Sequence, residues 1–233
     1  MSNAEFDKAL VEAAFRLAGE KGWRSVNAAA SAREAGLDLA KARGRFPGRA
    51  AILIRFGRMA DQAALAGASQ TGPVKDRLFD TLMRRFDMLQ THRAGVLALF
   101  DYLPTDPGMA LLLAHATHRS MGWMLEGAGI PATGCRGALR SRGLTAVWLW
   151  AVRAWRSDDS ADLAATMAAL DTALDRAGHV AGWFSRASHE AAADAASADA
   201  ASPDAASDSA TNEGMQNIPP PGEEPTASAE PPA

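Results

Sequence analysis

Apolar residues recur at intervals of three and four along most of this chain. No stretch alternates apolar and polar positions between Asn-Gly or Asp-Gly turns, so the pattern predicts an all-α protein of about nine helices. The first covers about 4–20, with Phe6, Leu10, Ala13, Ala14 and Leu17 on one face, and ends at Gly22. A short helix starts at Asn27, a favourable N-cap, and runs to Ala35 before Gly36 and the apolar turn residue Leu37. Asp38 caps a third short helix that stops ahead of Pro47, because the residue before a proline resists helical geometry. Longer helices are expected over 49–66, 74–91, 93–102, 107–126, 135–156 and 160–185, punctuated by Gly72-Pro73, Pro104, Asp106-Pro107, Pro131 and Asp158-Asp159-Ser160.

In the last helix Leu163, Met167, Leu170, Leu174, Ala177, Ala181 and Phe184 follow a 4-3-4-3-4-3 spacing. In the helix before it, Leu144, Trp148, Ala151 and Trp155 repeat 4-3-4. Two such seams fit a helical hairpin that pairs with its own copy in a homodimer, through Leu144, Trp155, Leu163, Met167, Leu170 and Leu174; the alternative is that both stripes face the monomer core.

Composition changes the picture at the C-terminal end. Residues 187–233 hold 15 Ala, 7 Pro and 6 Ser, with Met215 and Ile218 as the large apolar residues, too little to offset the entropy of ordering; an acidic, disordered tail is expected. That segment carries nine acids and no Lys or Arg, so the net charge of −3 conceals a body, 1–186, with 24 bases against 18 acids. The longest strongly apolar run, Ala146–Val152, is seven residues, and acids appear by Glu5; neither a membrane anchor nor a secretory leader is predicted, and the expected location is the cytoplasm. One cysteine, Cys135, precludes an intramolecular disulfide and a multi-thiolate zinc site.

The basic charge concentrates early. From Arg33 to Arg58 there are seven bases against Glu34 and Asp38, and Lys41, Arg43 and Arg45 crowd the third helix. A supporting helix, a short helix, a glycine turn and a second short helix form the grammar of a helix-turn-helix, whose last helix enters the major groove. Here the sequence resembles a known family. Ala-Gly-Glu-Lys-Gly-Trp (18–23), Arg-Glu-Ala-Gly-Leu (33–37) and Arg-Phe-Pro-Gly-Arg-Ala-Ala-Ile-Leu (45–53) look like the N-terminal domain of TetR-type transcriptional regulators. The resemblance implies a helix-turn-helix domain over 1–66, a helical effector-binding and dimerisation domain over 67–186, and the tail 187–233. It implies operator DNA as partner, met by Asn27, Lys41, Arg43, Arg45 and Arg49, and a coupling between DNA and an apolar small-molecule effector. The chain departs from the family at Asp38, where Ser or Thr is usual, at Arg43, where an aromatic is usual, and at Gly44, which weakens its helix by about 1 kcal/mol. Ala28 and Ser31 are smaller than the family's residues, and loose packing of the second helix on the first is expected.

A second resemblance is to the TetR-fold lipid-binding accessory proteins of ubiquinone biosynthesis. It rests on Gly22-Trp23, residues 28–36, Phe-Pro-Gly (46–48) and Trp-Arg-Ser-Asp-Asp-Ser (155–160), and implies isoprenoid and membrane binding, with Trp183 and Phe184 at the membrane end. Phe86, Met88, Trp123, Met124 and Trp148 are the candidate lining of an apolar ligand pocket, against the alternative of a dry core. His115 and His118 share a helical face, with Asp101 and Asp106 as conceivable partners, but no metal or other cofactor is predicted. Without a phosphate loop, nucleophile elbow or His-Glu-x-x-His motif, enzyme is the least favoured class.

Overall fold

A computed structural model describes residues 1–69, 71–179 and 182. Among them there is no strand. The chain divides at Arg186 into two units, and every described helix belongs to the first, Met1–Arg186. The tail expected over 187–233, and the ends of the last seam at Ala181 and Phe184, lie outside the described residues.

Helix α1 (Asn3–Lys21) opens with a capping box. The Ser2 hydroxyl accepts from the Glu5 amide at 3.2 Å, and the Ser2 amide donates to the Glu5 carboxylate at 2.6 Å. It closes at Gly22, whose φ of 75° is left-handed and suits glycine. A 3₁₀ turn, Trp23–Ser25, leads into α2 (Ala28–Glu34), where Asn27 accepts from the Ala30 amide at 2.9 Å. After Gly36, again left-handed at φ 63°, Asp38 caps α3 (Leu39–Arg45) by accepting from the Lys41 amide at 2.7 Å. Then come α4 (Arg49–Leu65), α5 (Val74–Thr91), α6 (Arg93–Tyr102), α7 (Pro107–Gly127) and α8 (Gly134–Arg156). A last helix, α9, spans 164–179.

The small residues of α2 do not leave the looseness expected of them. Ser31 is fully buried, with Ala32 beside it, and Ala28 is partly buried against the same core; the Ser31 hydroxyl folds back onto the Asn27 carbonyl at 2.9 Å, so short side chains let α2 sit close on α1. The start of α9 also departs from the expected 160. Asp158 is buried and accepts from both the amide and the hydroxyl of Thr166, each at 2.7 Å, and from the Ser160 hydroxyl. That clamp delays the helix and leaves Leu163 at φ 56°, an uncommon conformation for a branched residue, held by burial of its side chain. Burial pushes the Asp158 pKa up, but the hydrogen bonds from Ser160 and Thr166 outweigh it and lower the pKa from 3.8 to about 2. Because the folded-state pKa lies below the unfolded value, the clamp's contribution is complete above pH 3.8 and is lost as the pH falls toward 2. Asp158→Ala is expected to cost about 1–2 kcal/mol at neutral pH. Urea titrations at pH 7 and near pH 2 check this: the gap between the two proteins must close in acid, and a constant gap refutes the clamp.

The 4-3 seams prove to be core. Leu144, Trp155, Leu163, Leu170 and Leu174 are all buried within this one chain and Met167 is partly buried, which is the alternative in which both stripes face the monomer core. Lys75 of α5, which bonds Asp171 and Asp175 of α9 at 2.7 Å each, fixes that orientation at the rim. Trp155 donates from Nε1 to Gln90 at 3.0 Å, a bond that also turns it inward. The apolar face left to solvent on α8 is a different one: Leu139, Leu149 and Trp150, each more than half exposed.

Candidate nucleic-acid interface

The helix-turn-helix is assembled on α1. Phe6, Leu10, Val11, Ala14 and Phe15 are buried, and among them sits an acid, Asp7, only 3% exposed. Arg45 at the end of α3 reaches it with both arms, Nε to Oδ1 at 2.5 Å and Nη2 to Oδ2 at 2.6 Å, and Arg55 of α4 approaches Oδ2 at 3.1 Å. One carboxylate thus ties α1, α3 and α4 together, and its hydrogen bond raises the Arg45 pKa further. A second tie runs through Arg49. Its Nε donates to the Val26 carbonyl at 2.9 Å and its Nη1 to the Tyr102 hydroxyl at 2.8 Å. Tyr102 in turn donates to Asp106 at 2.8 Å, and Asp106 caps α7 by accepting from the Met109 amide at 3.0 Å. The Tyr102 pKa is raised by that bond to Asp106, and the Asp106 pKa is lowered first by the Met109 amide and then by Tyr102.

These contacts sort the five predicted DNA residues. Asn27 is exposed but spends its side-chain oxygen on the α2 cap. Lys41 is half-buried, its ammonium 4.7 Å from the centre of the Phe6 ring. Arg45, itself exposed, is paired with a buried acid, and Arg49, partly buried, with a carbonyl and a phenol. Arg43 is exposed on α3 and has no hydrogen bond or ion pair among the described residues. It shares the open side of α3 with Leu39, Ala40 and Gly44. Asp7 and Tyr102 are absent from the residues that the sequence singles out. Asp7 leaves a signal there, an acid three and four residues from Leu10 and Val11 on the stripe that is buried; Tyr102, 53 residues from Arg49, leaves none.

Replacing Asp7 by alanine is expected to cost about 2–3 kcal/mol. This is less than the loss of a fully buried pair, because both guanidinium groups keep some water. Chemical denaturation measures it, and a loss under about 0.5 kcal/mol, as at an ordinary surface site, would contradict the anchoring role.

The predicted pocket residues do not all come together. Phe86, Met124 and Trp148 are buried together, with Phe86 stacked on Trp148 at 4.4 Å, and Met88 packs at the edge of the same core. Trp123 does not belong with them: it is 63% exposed on the outer side of α7. His118 pairs with the Thr145 hydroxyl at 3.1 Å, while Asp101 faces Arg156 at 3.7 Å and Asp106 bonds Tyr102, so neither acid joins the histidines. Among the described residues no group of three or more His, Cys, Asp or Glu is arranged to hold a metal, and no helix is long and apolar enough to cross a membrane.

No protein-family model matches the chain, and no curated protein matches it in sequence. Solved structures do match. A TetR transcriptional regulator from Nitrosomonas europaea superposes with a TM-score of 0.61 at 21% identity, covering 75% of this chain and 98% of that one. A TetR-family regulator from Streptomyces coelicolor gives 0.54 at 18% identity over 79% and 85%. A TetR regulator from a Rhodococcus species gives 0.53 at 17% identity over 76% and 97%. At these identities the likeness concerns the fold, which is the all-helical TetR-type fold.

Proposed function

We propose that the chain is a transcriptional regulator that binds operator DNA through α2 and α3, as a cytoplasmic homodimer whose helical body answers to an apolar small-molecule effector. The observation that carries this reading is the state of α3: its own Arg45 is spent on tying the helix to Asp7 of α1, Arg49 of α4 is spent on Val26 and Tyr102, and Arg43 is left projecting from the open side of α3. An anchored short helix with one unengaged guanidinium suits a groove reader, because rigid placement lets a bidentate Arg–guanine contact discriminate. The residues divide into a reading head over 1–66 and a body over 67–186. Arg43 is the base-reading residue, Lys41 gives up its ring contact for phosphate, and Arg45 and Arg49 act by positioning. Asn27 starts α2 and presents its capped first turn to the DNA backbone. The second copy meets the outer face of α8 at Leu139, Leu149 and Trp150, which replaces the seam read from spacing. The three structural neighbours are regulators and none is described as lipid-binding; the residues on which a membrane end was expected, Trp183 and Phe184, lie outside the described set.

Fluorescence anisotropy on fragments of the gene's own upstream DNA tests the reading. Arg43→Ala is expected to lose about 1–3 kcal/mol on the preferred site and to relax preference at one base pair. Lys41→Ala is expected to weaken binding to all sequences alike and flatten the salt dependence by about one unit. Asp38→Ser should tighten binding, since it keeps the cap and removes a charge that faces phosphate. Absence of salt-dependent binding would reject the assignment.

A further inference from the structure

The interior of the body holds a cation that neither the fold nor the reading head accounts for. Arg85 of α5 is buried, with its guanidinium 4.7 Å from the centre of the Trp148 ring, the ring that also stacks on Phe86. Its Nη1 donates to the Ser120 hydroxyl at 2.5 Å, and Ser120 donates to Asp61 at 2.6 Å; Nη1 itself lies 3.3 Å from the Asp61 carboxylate. Four helices meet at this point: α4 brings Asp61, α5 Arg85, α7 Ser120 and α8 Trp148. A guanidinium has five N–H donors, and among the described residues the acceptors facing this one are a carboxylate oxygen and a hydroxyl. The Nε is buried with no hydrogen-bond partner among the described residues. Burial accordingly pushes the Arg85 pKa down, opposed by the charge of Asp61. A buried charge with surplus donors is poorly satisfied and favours one more acceptor, best of all a carboxylate that meets the fork with two oxygens.

The surroundings suit the rest of such a molecule. Phe86, Met121, Met124 and Trp148 are all buried close by in the same core, and methionines reshape easily around an apolar guest. The Asp61 side chain is 18% exposed, so the charged centre has an edge at the surface, on the side where α4 meets α7. Asp61 also belongs to the helix that begins at Arg49, next to the reading head.

We infer that Arg85 is the recognition point of the effector and that the effector is an amphipathic carboxylic acid, whose carboxylate takes the guanidinium fork from Asp61 while its apolar part enters the Phe86–Met124–Trp148 core. This deepens the proposal of an effector-controlled regulator and rests on it. The exchange is ionic, with no bond made or broken. Asp61, displaced, turns to water at its exposed edge, and α4 loses the ion pair that ties it to α5 and α7. The acid thereby favours a different placement of the reading head.

The test titrates the full chain by calorimetry with hexanoate, decanoate and 4-phenylbutyrate, and with the corresponding alcohols. The expected result is at least one acid bound about tenfold or more tightly than its alcohol. Arg85→Lys should lessen that preference and Arg85→Met abolish it. Asp61→Asn, which keeps shape and removes the internal competitor, should tighten acid binding several-fold, an effect that a merely structural ion pair would not give. Arg85→Met is exposed to misfolding, and Asp61→Asn decides the matter without it. Equal affinity for acids and alcohols, no binding of any acid at about 1 mM, or an unchanged acid affinity in Asp61→Asn would each overturn the assignment. A parallel DNA titration, in which the acid should release the unmodified chain but not Arg85→Lys, reads the regulator function separately. Failure of DNA binding shows only there, and failure of the acid site shows in the calorimetry.

Discussion

A chain with aspartate in place of Leu170 is expected to be unfolded at room temperature, not monomeric and intact. Leu170 is fully buried, and Leu163, Ala173 and Leu174 of the same segment are buried with it. An ionised carboxylate there has no partner, and burying it, or protonating it to avoid burial, costs about 4–5 kcal/mol or more together with the lost leucine packing. Total stabilities of about 5–15 kcal/mol leave little margin for that. Leu149→Asp on α8 is the informative contrast. Leu149 is 57% exposed, so its substitution should leave the circular dichroism spectrum and melting point nearly unchanged while weakening the proposed dimer. Sedimentation of both variants separates the cases. A folded, monomeric Leu170→Asp chain would show that α9 is the interface after all.

Gly95→Ala is expected to be nearly as damaging although it adds one carbon. A Cβ at position 95 of α6 would run into the Phe15 carbonyl oxygen and stand 3.0 Å from its carbon. Both are backbone atoms of α1, so no rotamer change relieves the clash and the two helices must separate. That separation pulls on the buried bond from Trp23 Nε1 to the Gly95 carbonyl at 2.8 Å. It also disturbs the Phe15–Trp23 edge contact at 5.1 Å and the Phe15–Phe56 contact at 4.0 Å. A loss of about 2–4 kcal/mol is expected, a fall in melting temperature of about 5–15 °C for a chain of this size. Gly44→Ala is the control. Nothing lies within 4 Å of a Cβ there, and α3 should gain up to about 1 kcal/mol of helix propensity. If both alanines behave alike, close approach of α1 and α6 is not what glycine serves at position 95.

The helices are legible in the sequence because their ends are local chemistry. Asn27, Asp38 and Asp106 each satisfy an amide three residues on, Gly22 and Gly36 supply left-handed turns, and Pro47 and Pro104 interrupt the chain; neighbouring residues alone reveal this. The start of α9 escapes such a reading because its cap, Asp158, acts on Thr166 eight positions ahead and not three. The helix-turn-helix is legible as a pattern but not in its parts. Spacing places Arg43, Arg45 and Arg49 near one another, yet an arginine looks the same in sequence whether it faces water or a buried acid. Only the return of α3 onto α1 reveals that Arg45 answers Asp7, 38 residues away, and only the docking of α6 gives Arg49 its phenol.

The same distinction governs the apolar stripes. Periodicity determines that Leu163, Leu170 and Leu174 share one apolar stripe, since 3.6 residues make a turn wherever the helix lies. Periodicity does not say what covers that face. The covering is a long-range matter, settled here by α5 packing against α9 and by the Lys75 contacts at its rim, which leave Leu139, Leu149, Trp150 and Trp123 outside. Sequence alone therefore determined the helical class, the order and ends of most helices, and the helix-turn-helix, because each depends on residues within a turn or two of one another. Tertiary structure decided which cations remain available, which apolar face stays open and where Arg85 meets Asp61, because each depends on pairs brought together across the fold.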